Sequence, residues 1–183
     1  MKAQFYISLL LVFFTSHALL AQSESTSPRK NHIELNLIWP FVPNIYQVKY
    51  NRTLFTSSNG MQGELIISAN FRPLSFDEQE GDKSMRAIAV GYRHFWWKGF
   101  NTELSIYPEF ITIQNNVVDG QNYEGFVLIP EFYAGYKGYF GKSRLFYNIQ
   151  LGIGQVAYRS NLWPKTEEDQ LFFNGNLTVG VSF

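Results

Sequence analysis

The sequence predicts an all-β chain folded as a closed, antiparallel, eight-stranded up-and-down barrel. Three observations predict it. Apolar and polar residues alternate with period two in eight segments, the mark of strands with one apolar and one polar face. The connections between those segments alternate between short and long. The last segment, 171–183, carries Leu, Phe, Gly, Leu, Val, Val and Phe at its odd positions and runs to Phe183.

The first segment, 32–39, sets Ile33, Leu35, Leu37 and Trp39 against Glu34 and Asn36. The second, 45–55, sets Tyr46, Val48, Tyr50 and Leu54 against Gln47, Lys49, Asn51 and Thr53. In 61–71, Leu65, Ile67, Ala69 and Phe71 oppose Gln62, Glu64, Ser68 and Asn70. In 85–96, Ile88, Val90, Tyr92 and Trp96 oppose Ala87, Ala89, Gly91 and Arg93. Segment 100–113 alternates Leu104, Ile106, Pro108 and Phe110 with Glu103, Ser105, Tyr107 and Glu109. Segment 123–140 sets Phe126, Leu128, Phe132, Ala134 and Tyr136 against Glu131, Tyr133, Gly135 and Lys137. Segment 144–158 sets Leu145, Tyr147, Ile149, Leu151 and Ile153 against Asn148, Gln150, Gly152 and Gly154, and its phase slips near Gln155, as at a bulge. Pro108 and Pro130 lie inside strands and lack the ladder donor, so each predicts a bulge or kink.

Connections 56–60, 97–99 and 141–142 are short, whereas 72–84, 114–122 and 159–170 are longer and polar. Connection 40–44, short and Pro-rich, is the exception.

The charged set Glu34, Lys49, Glu64, Arg93, Glu103, Glu109, Glu131 and Lys137 falls on the polar face. In a soluble barrel of lipocalin type that face meets water and the interior holds an apolar ligand. In a transmembrane barrel it lines the lumen, where burial of so many charges requires pairing. Five acids against three bases, with Arg72 near a strand end, come close to balance. Eight strands enclose only enough room for side chains, so a plugged lumen is expected. Aromatic residues make up 17% of the chain, which suits interfacial belts. Trp96, Trp97, Phe100, Tyr139, Phe140, Phe146 and Phe183 are expected at one end, and Trp39, Phe71, Phe110, Tyr123 and Tyr158 at the other.

Formal net charge is zero and no basic run occurs, so nucleic acid is not an expected partner. Without Cys there is no disulfide, thiolate metal site, Cys nucleophile or lipid-modified N-terminal Cys. No Gly-rich phosphate loop or His-rich metal motif points to a cofactor. Residues 1–21 read as a helical secretory signal peptide. Lys2 supplies the positive start, an apolar run follows over 5–14, and Ala21 precedes Gln22, with cleavage after Ala18 as the alternative. The apolar run is shorter than the ~20 residues of a helical span, which disfavours a retained anchor. Residues 22–31 form a polar leader and 32–183 the barrel domain.

With the alternation Leu177-Thr178-Val179-Gly180-Val181-Ser182-Phe183 at the end, the chain resembles the small eight-stranded outer-membrane β-barrel proteins of Gram-negative bacteria. The resemblance covers residues 32–183. It implies residence in the cell outer membrane, with tight turns on the periplasmic side and longer loops outside. Lipid and the barrel-assembly machinery are the implied partners, and Val179, Val181 and Phe183 are the implied assembly signal. The family holds anchors, adhesins, small-solute channels and a few lipid-modifying enzymes, and membership does not choose among them. The expectation is a non-catalytic envelope-structural or surface-contact role, with any extracellular partner met by loops 72–84, 114–122 and 159–170. A narrow channel, a lipid-modifying enzyme and a soluble binder are the alternatives.

Three groups carry candidate chemistry. His94 is a candidate base for lipid hydrolysis but faces lipid with no evident Ser beside it. Glu109 and Glu131 are a candidate carboxylate pair on adjacent strands, though lumen acids more often neutralise lumen bases. The acidic runs 77–82 and 167–169 offer oxygen ligands for Ca²⁺ but lack a full metal-loop spacing, and read as solvated tips.

Overall fold

Val, Ile, Tyr and Phe at alternate positions fit a pleated surface with one greasy side, which is why these segments form strands. The computed structural model describes residues 29–42, 44–160, 163–164 and 171–183. Its strands are β1 (Asn31–Asn36), β2 (Tyr46–Thr56), β3 (Gln62–Asp77), β4 (Gly81–Trp97), β5 (Phe100–Gln114), β6 (Tyr123–Tyr139), β7 (Leu145–Gly154), β8 (Tyr158–Arg159) and β9 (Phe172–Ser182). Every pairing is antiparallel, and β1 joins β9 through Ile33↔Val181 and Leu35↔Val179, so the sheet closes on itself. β8 continues the line of β7 along β6. Gly154 faces Glu131 and Tyr158 faces Leu128, so the β7–β8 line uses one residue more than β6 over that stretch. The extra residue lies in a bulge at 155–157, where the sequence phase slips. The product is a closed eight-stranded up-and-down barrel, as the alternation predicts.

The proposed signal peptide and residues 22–28 of the leader lie outside the described residues. The rest of the leader reaches the start of the sheet. Lys30 offers its carbonyl to the Thr53 amide at 2.7 Å, and Asn31 opens β1.

One end of the barrel, the turn end, holds connections 57–61, 98–99 and 140–144 and both ends of the described sheet. The other, the loop end, holds 78–80, 115–122 and, of the two remaining connections, the described residues 37–42, 44–45, 160, 163–164 and 171. Two connections differ from expectation. The stretch 72–84 is not a long loop: β3 and β4 run on as a hairpin closed by the turn 78–80, with Gly81 at φ 104°. Between Arg72↔Met85 and Ser75↔Lys83 the register shifts by one residue, and that bulge absorbs Pro73. The broken phase at Pro73 mimics a strand end in the sequence. Conversely, β1 stops at Asn36, earlier than expected, because the Asn36 side-chain oxygen accepts the Ile38 and Trp39 amides at 2.9 and 3.1 Å and turns the chain.

On the ladder between β5 and β6 the two prolines depart from the prediction. The β5–β6 register runs from Phe100↔Tyr136 to Ile113↔Tyr123 without a shift, so neither residue bulges that ladder. Pro108 leaves a gap on its β4 side, between Ala87↔Glu109 and Val90↔Ile106, with the register unchanged. Pro130 lies opposite the 155–157 bulge, where the Gln155 amide reaches its carbonyl at 3.3 Å.

The faces are clear. Leu151 is 76% exposed and Ile88 69%, and Leu104 and Ile106 are exposed on the same outer surface. Ile149 and Val179 share that surface, partly covered by neighbours. Arg93 is fully buried, and Glu103, Glu131 and Gln150 are buried with it inside. Exposed aromatics ring both ends: Phe55, Trp96, Trp97, Phe100 and Phe183 at the turn end, Tyr46, Phe71, Phe110, Tyr158 and Phe173 at the loop end. Four expected ring members turn inside instead: Tyr123, packed on the cluster of Ile113 and Trp163, and Tyr139, whose hydroxyl lies 3.3 Å from Ser182 Oγ, are partly buried, and Phe146 and Trp39 are buried. Phe146 has inward parity and is buried over Gly180, its partner on β9. Trp39, carried inward by the Asn36 turn, caps the lumen and donates Nε1–H to the Gly175 carbonyl at 2.9 Å.

Candidate functional site: the barrel lumen

The turn half of the lumen is filled by a charged network centred on Arg93, which β4 projects inward between Gly91 and Phe95. Its guanidinium meets Glu34 at 2.6 and 3.2 Å, Glu103 at 2.7 and 3.0 Å, and Glu64 at 3.4 Å. Those acids come from β1, β5 and β3, so one fork ties four strands across the barrel. Lys49 adds a bond to Glu103 at 2.8 Å, and Lys137 one to Glu64 at 3.1 Å. Three carboxylates thus face three cations, the balance that burial demands. Neutral donors fill the remaining lone pairs. Asn51 and Thr178 serve Glu34; Ser105 and Gln150 serve Glu103; Gln62 serves Glu64. Lys137 also lies 4.2 Å from the Phe146 ring centroid, a cation–π contact at the turn-end floor.

His32 belongs to this half and was not singled out by sequence reasoning. It is buried, with Nδ1 2.9 Å from Ser182 Oγ, and Nε2 3.2 Å from Thr53 Oγ1 and 3.3 Å from Glu64. Its inward parity with Glu34 and Asn36 is the signal that places it there. His94, by contrast, lies on the outer face among Phe55, Tyr92 and Trp96, with Nδ1 3.0 Å from the Tyr92 hydroxyl.

The loop half is built differently. Met85, Ala87, Ile111, Ile113, Val127 and Trp163 form one apolar cluster, and Trp39, Ala89, Tyr107 and Tyr133 a second one beneath it. Met85, Trp39 and Tyr107 of these clusters, with Ile45, Ile129 and Val156 packed against them, border a cavity of about 1070 Å³. Glu109 and Glu131 both line it, so the structure brings this pair to one space but not into the Arg93 network. Glu131 accepts instead from the Tyr133 hydroxyl and from Asn174 Nδ2 at 2.9 Å. Arg72, counted as a balancing base, turns away to Asp77 at 3.1 Å.

The acidic run at 77–82 is solvated at Glu78 and Gln79, as expected of a tip, but not at Glu80. Glu80 is buried, accepting from Lys83 and from Trp163 Nε1 at 2.7 Å. Among the described residues no group of three or more His, Asp or Glu is arranged to hold a metal ion. The run 167–169 lies outside the described residues. In the 115–122 loop, the Tyr123 hydroxyl bond holds the exposed Asp119 carboxyl below its usual pKa. Val179, Val181 and Phe183 lie along the outer side of β9 at the turn end, Val179 partly covered and the other two exposed.

Comparison with protein families, with curated proteins and with solved structures gives no match for this chain.

Proposed function

We propose that this barrel spans the outer membrane of a Gram-negative cell, with its turn end in the periplasm and its loop end outside. One observation carries the reading: large apolar side chains cover the outside while charged ones fill the inside. A continuous exposed apolar belt is unfavourable in water and matches a hydrocarbon layer. Closure supports it too, because a sheet without edges leaves no backbone group unsatisfied in lipid. Aromatics at both ends suit the two interfaces.

The role we propose is non-catalytic: envelope structure, or surface contact through the β3–β4 hairpin tip and loop 115–122. The Arg93 network crosses the lumen and favours a sealed barrel over a small-solute channel. The outward aromatic surroundings of His94 do not favour a hydrolytic role for it. The β9 face with Val179, Val181 and Phe183 is the segment proposed to meet the assembly machinery.

Fractionation tests the reading. The protein should stay with membranes through carbonate washing and need detergent for release. Recovery in the soluble periplasm without detergent would overturn it. In planar bilayers the pure protein should give no discrete conductance steps, and regular openings would restore the channel.

A further inference from the structure

We propose that the loop-half cavity is a side pocket for a saturated hydrocarbon chain, entered through a gap in the barrel wall between β9 and the 37–45 connection. The inference rests on the membrane reading, since the chain would come from the surrounding lipid. A strand shows alternate residues to one face, yet five consecutive residues, 171–175, line this cavity. Such a run means that the cavity lies along the edge of β9 and not only against one face of it.

That edge is the one β1 leaves uncovered. β9 pairs with β7 as far as Phe172↔Gly154, but with β1 only as far as Thr178↔Asn36. One more backbone bond follows, from the Leu37 amide to the Leu177 carbonyl at 2.8 Å. Above it the Gly175 carbonyl receives Trp39 Nε1 at 2.9 Å, so a side chain stands where a ladder bond would be.

The surface along this gap is apolar from outside to inside. Ile38, Val42, Leu171 and Phe173 line the cavity and are exposed, Phe173 at 82%. Trp39, Met85, Ile129 and Val156 line it and are buried or half-buried. At about 1070 Å³ the space is at the upper end of the range of small-molecule sites. The charged groups of the lining are held within the barrel: Arg72 by Asp77, Lys83 by Glu80, and Glu131 by Tyr133 and Asn174. Glu109 is engaged as well. None of them calls for charge on the ligand, and apolar walls are better covered by a chain than wetted.

The test places the full chain in phospholipid nanodiscs with two photoprobes, palmitate and a phosphatidylcholine, each carrying a diazirine at the chain end. Adducts formed on illumination are mapped by mass spectrometry. Chains in the bilayer should mark Ile88 and Leu104 on the outer face, and a chain in the cavity should mark Met85 and Ile129 inside. Inside adducts from both probes identify bilayer lipid as the source of the chain, and inside adducts from palmitate alone identify a free single-chain amphiphile. Ile129→Trp, which fills the space, should abolish the adduct at Met85 and keep those at Ile88 and Leu104. Trp39→Phe, which removes the bond across the gap, should raise inside labelling about fivefold, the worth of one hydrogen bond. Inside labelling unmoved by both variants would overturn the proposal, and inside adducts without outer ones would overturn the lateral route. Outer adducts alone would sink the pocket and leave the membrane reading standing, whereas no adduct at all would sink both.

Discussion

The two halves of the lumen are made by the same strands and yet are opposite in kind. The turn half is polar and filled: long charged side chains meet across it and leave little room. The loop half holds two apolar clusters beside Glu109 and Glu131 and keeps a cavity. The difference follows from the inward residues. In β4 the inward series changes from Arg93 to Ala89, Ala87 and Met85, and in β5 from Glu103 and Ser105 to Tyr107, Glu109, Ile111 and Ile113, so that one charge remains among apolar residues. An ion network fixes the barrel's cross-section where its members meet, whereas apolar walls tolerate a void.

The sharpest way to break this comparison is at Arg93. Replacing it by Met leaves Glu34, Glu64 and Glu103 facing only Lys49 and Lys137. A buried ion pair broken from one side costs about 3–5 kcal/mol. We expect that loss in urea unfolding followed by tryptophan fluorescence in lipid vesicles. Adding Glu34→Gln restores the charge balance and should recover part of it. A loss below about 1 kcal/mol would mean that the network is not what holds the turn half.

A second comparison uses two isoleucines. Ile66 points into the filled half and is 2% exposed, while Ile129 borders the cavity. Ile66→Ala opens a void among fixed neighbours and should cost about 3 kcal/mol. Ile129→Ala removes a side chain that packs on the apolar clusters on one side only and borders the cavity on the other, and should cost no more than about half of that. Equal losses in the same unfolding assay would contradict the difference in packing.

The pattern of legibility follows the same division. Strand number, closure and the direction of the faces could be read because period two is a backbone property, and one slip would reverse every side chain. The charges of the turn half could be read from parity, but their pairing could not. Nothing in the sequence separates Glu131, bonded by Tyr133 and Asn174, from Glu103, bonded by Arg93 and Lys49, because that choice depends on height along the barrel. The cavity left still less trace. It depends on Trp39 folding inward at the Asn36 turn, and on a bulge at Pro73 that converts an apparent loop into a hairpin. Both are local breaks in phase, where periodicity stops being informative.

Gly152 tests the boundary between the halves. It faces inward opposite Tyr133, and an added Cβ would lie 2.4 Å from the Tyr133 ring and 2.6 Å from the Asn174 side-chain oxygen. Gly152→Ala should therefore cost about 1–3 kcal/mol by overpacking. It should also disturb the Glu131 bonds, visible as a chemical-shift change at the Asn174 amide.

The smallest effect is expected where space is already present. Ile129→Phe enlarges a side chain that borders the cavity, and the new ring can extend into it without moving a neighbour. Stability should change by no more than about 0.5 kcal/mol. The same change at Ile66 forces a ring among Glu64, Ser68 and Arg93 and should cost about 1–3 kcal/mol. The pair separates a true void from a loosely packed wall. If Ile129→Phe is as damaging as Ile66→Phe, the loop half is closed in solution, and the distinction between a filled and an open half of the lumen fails.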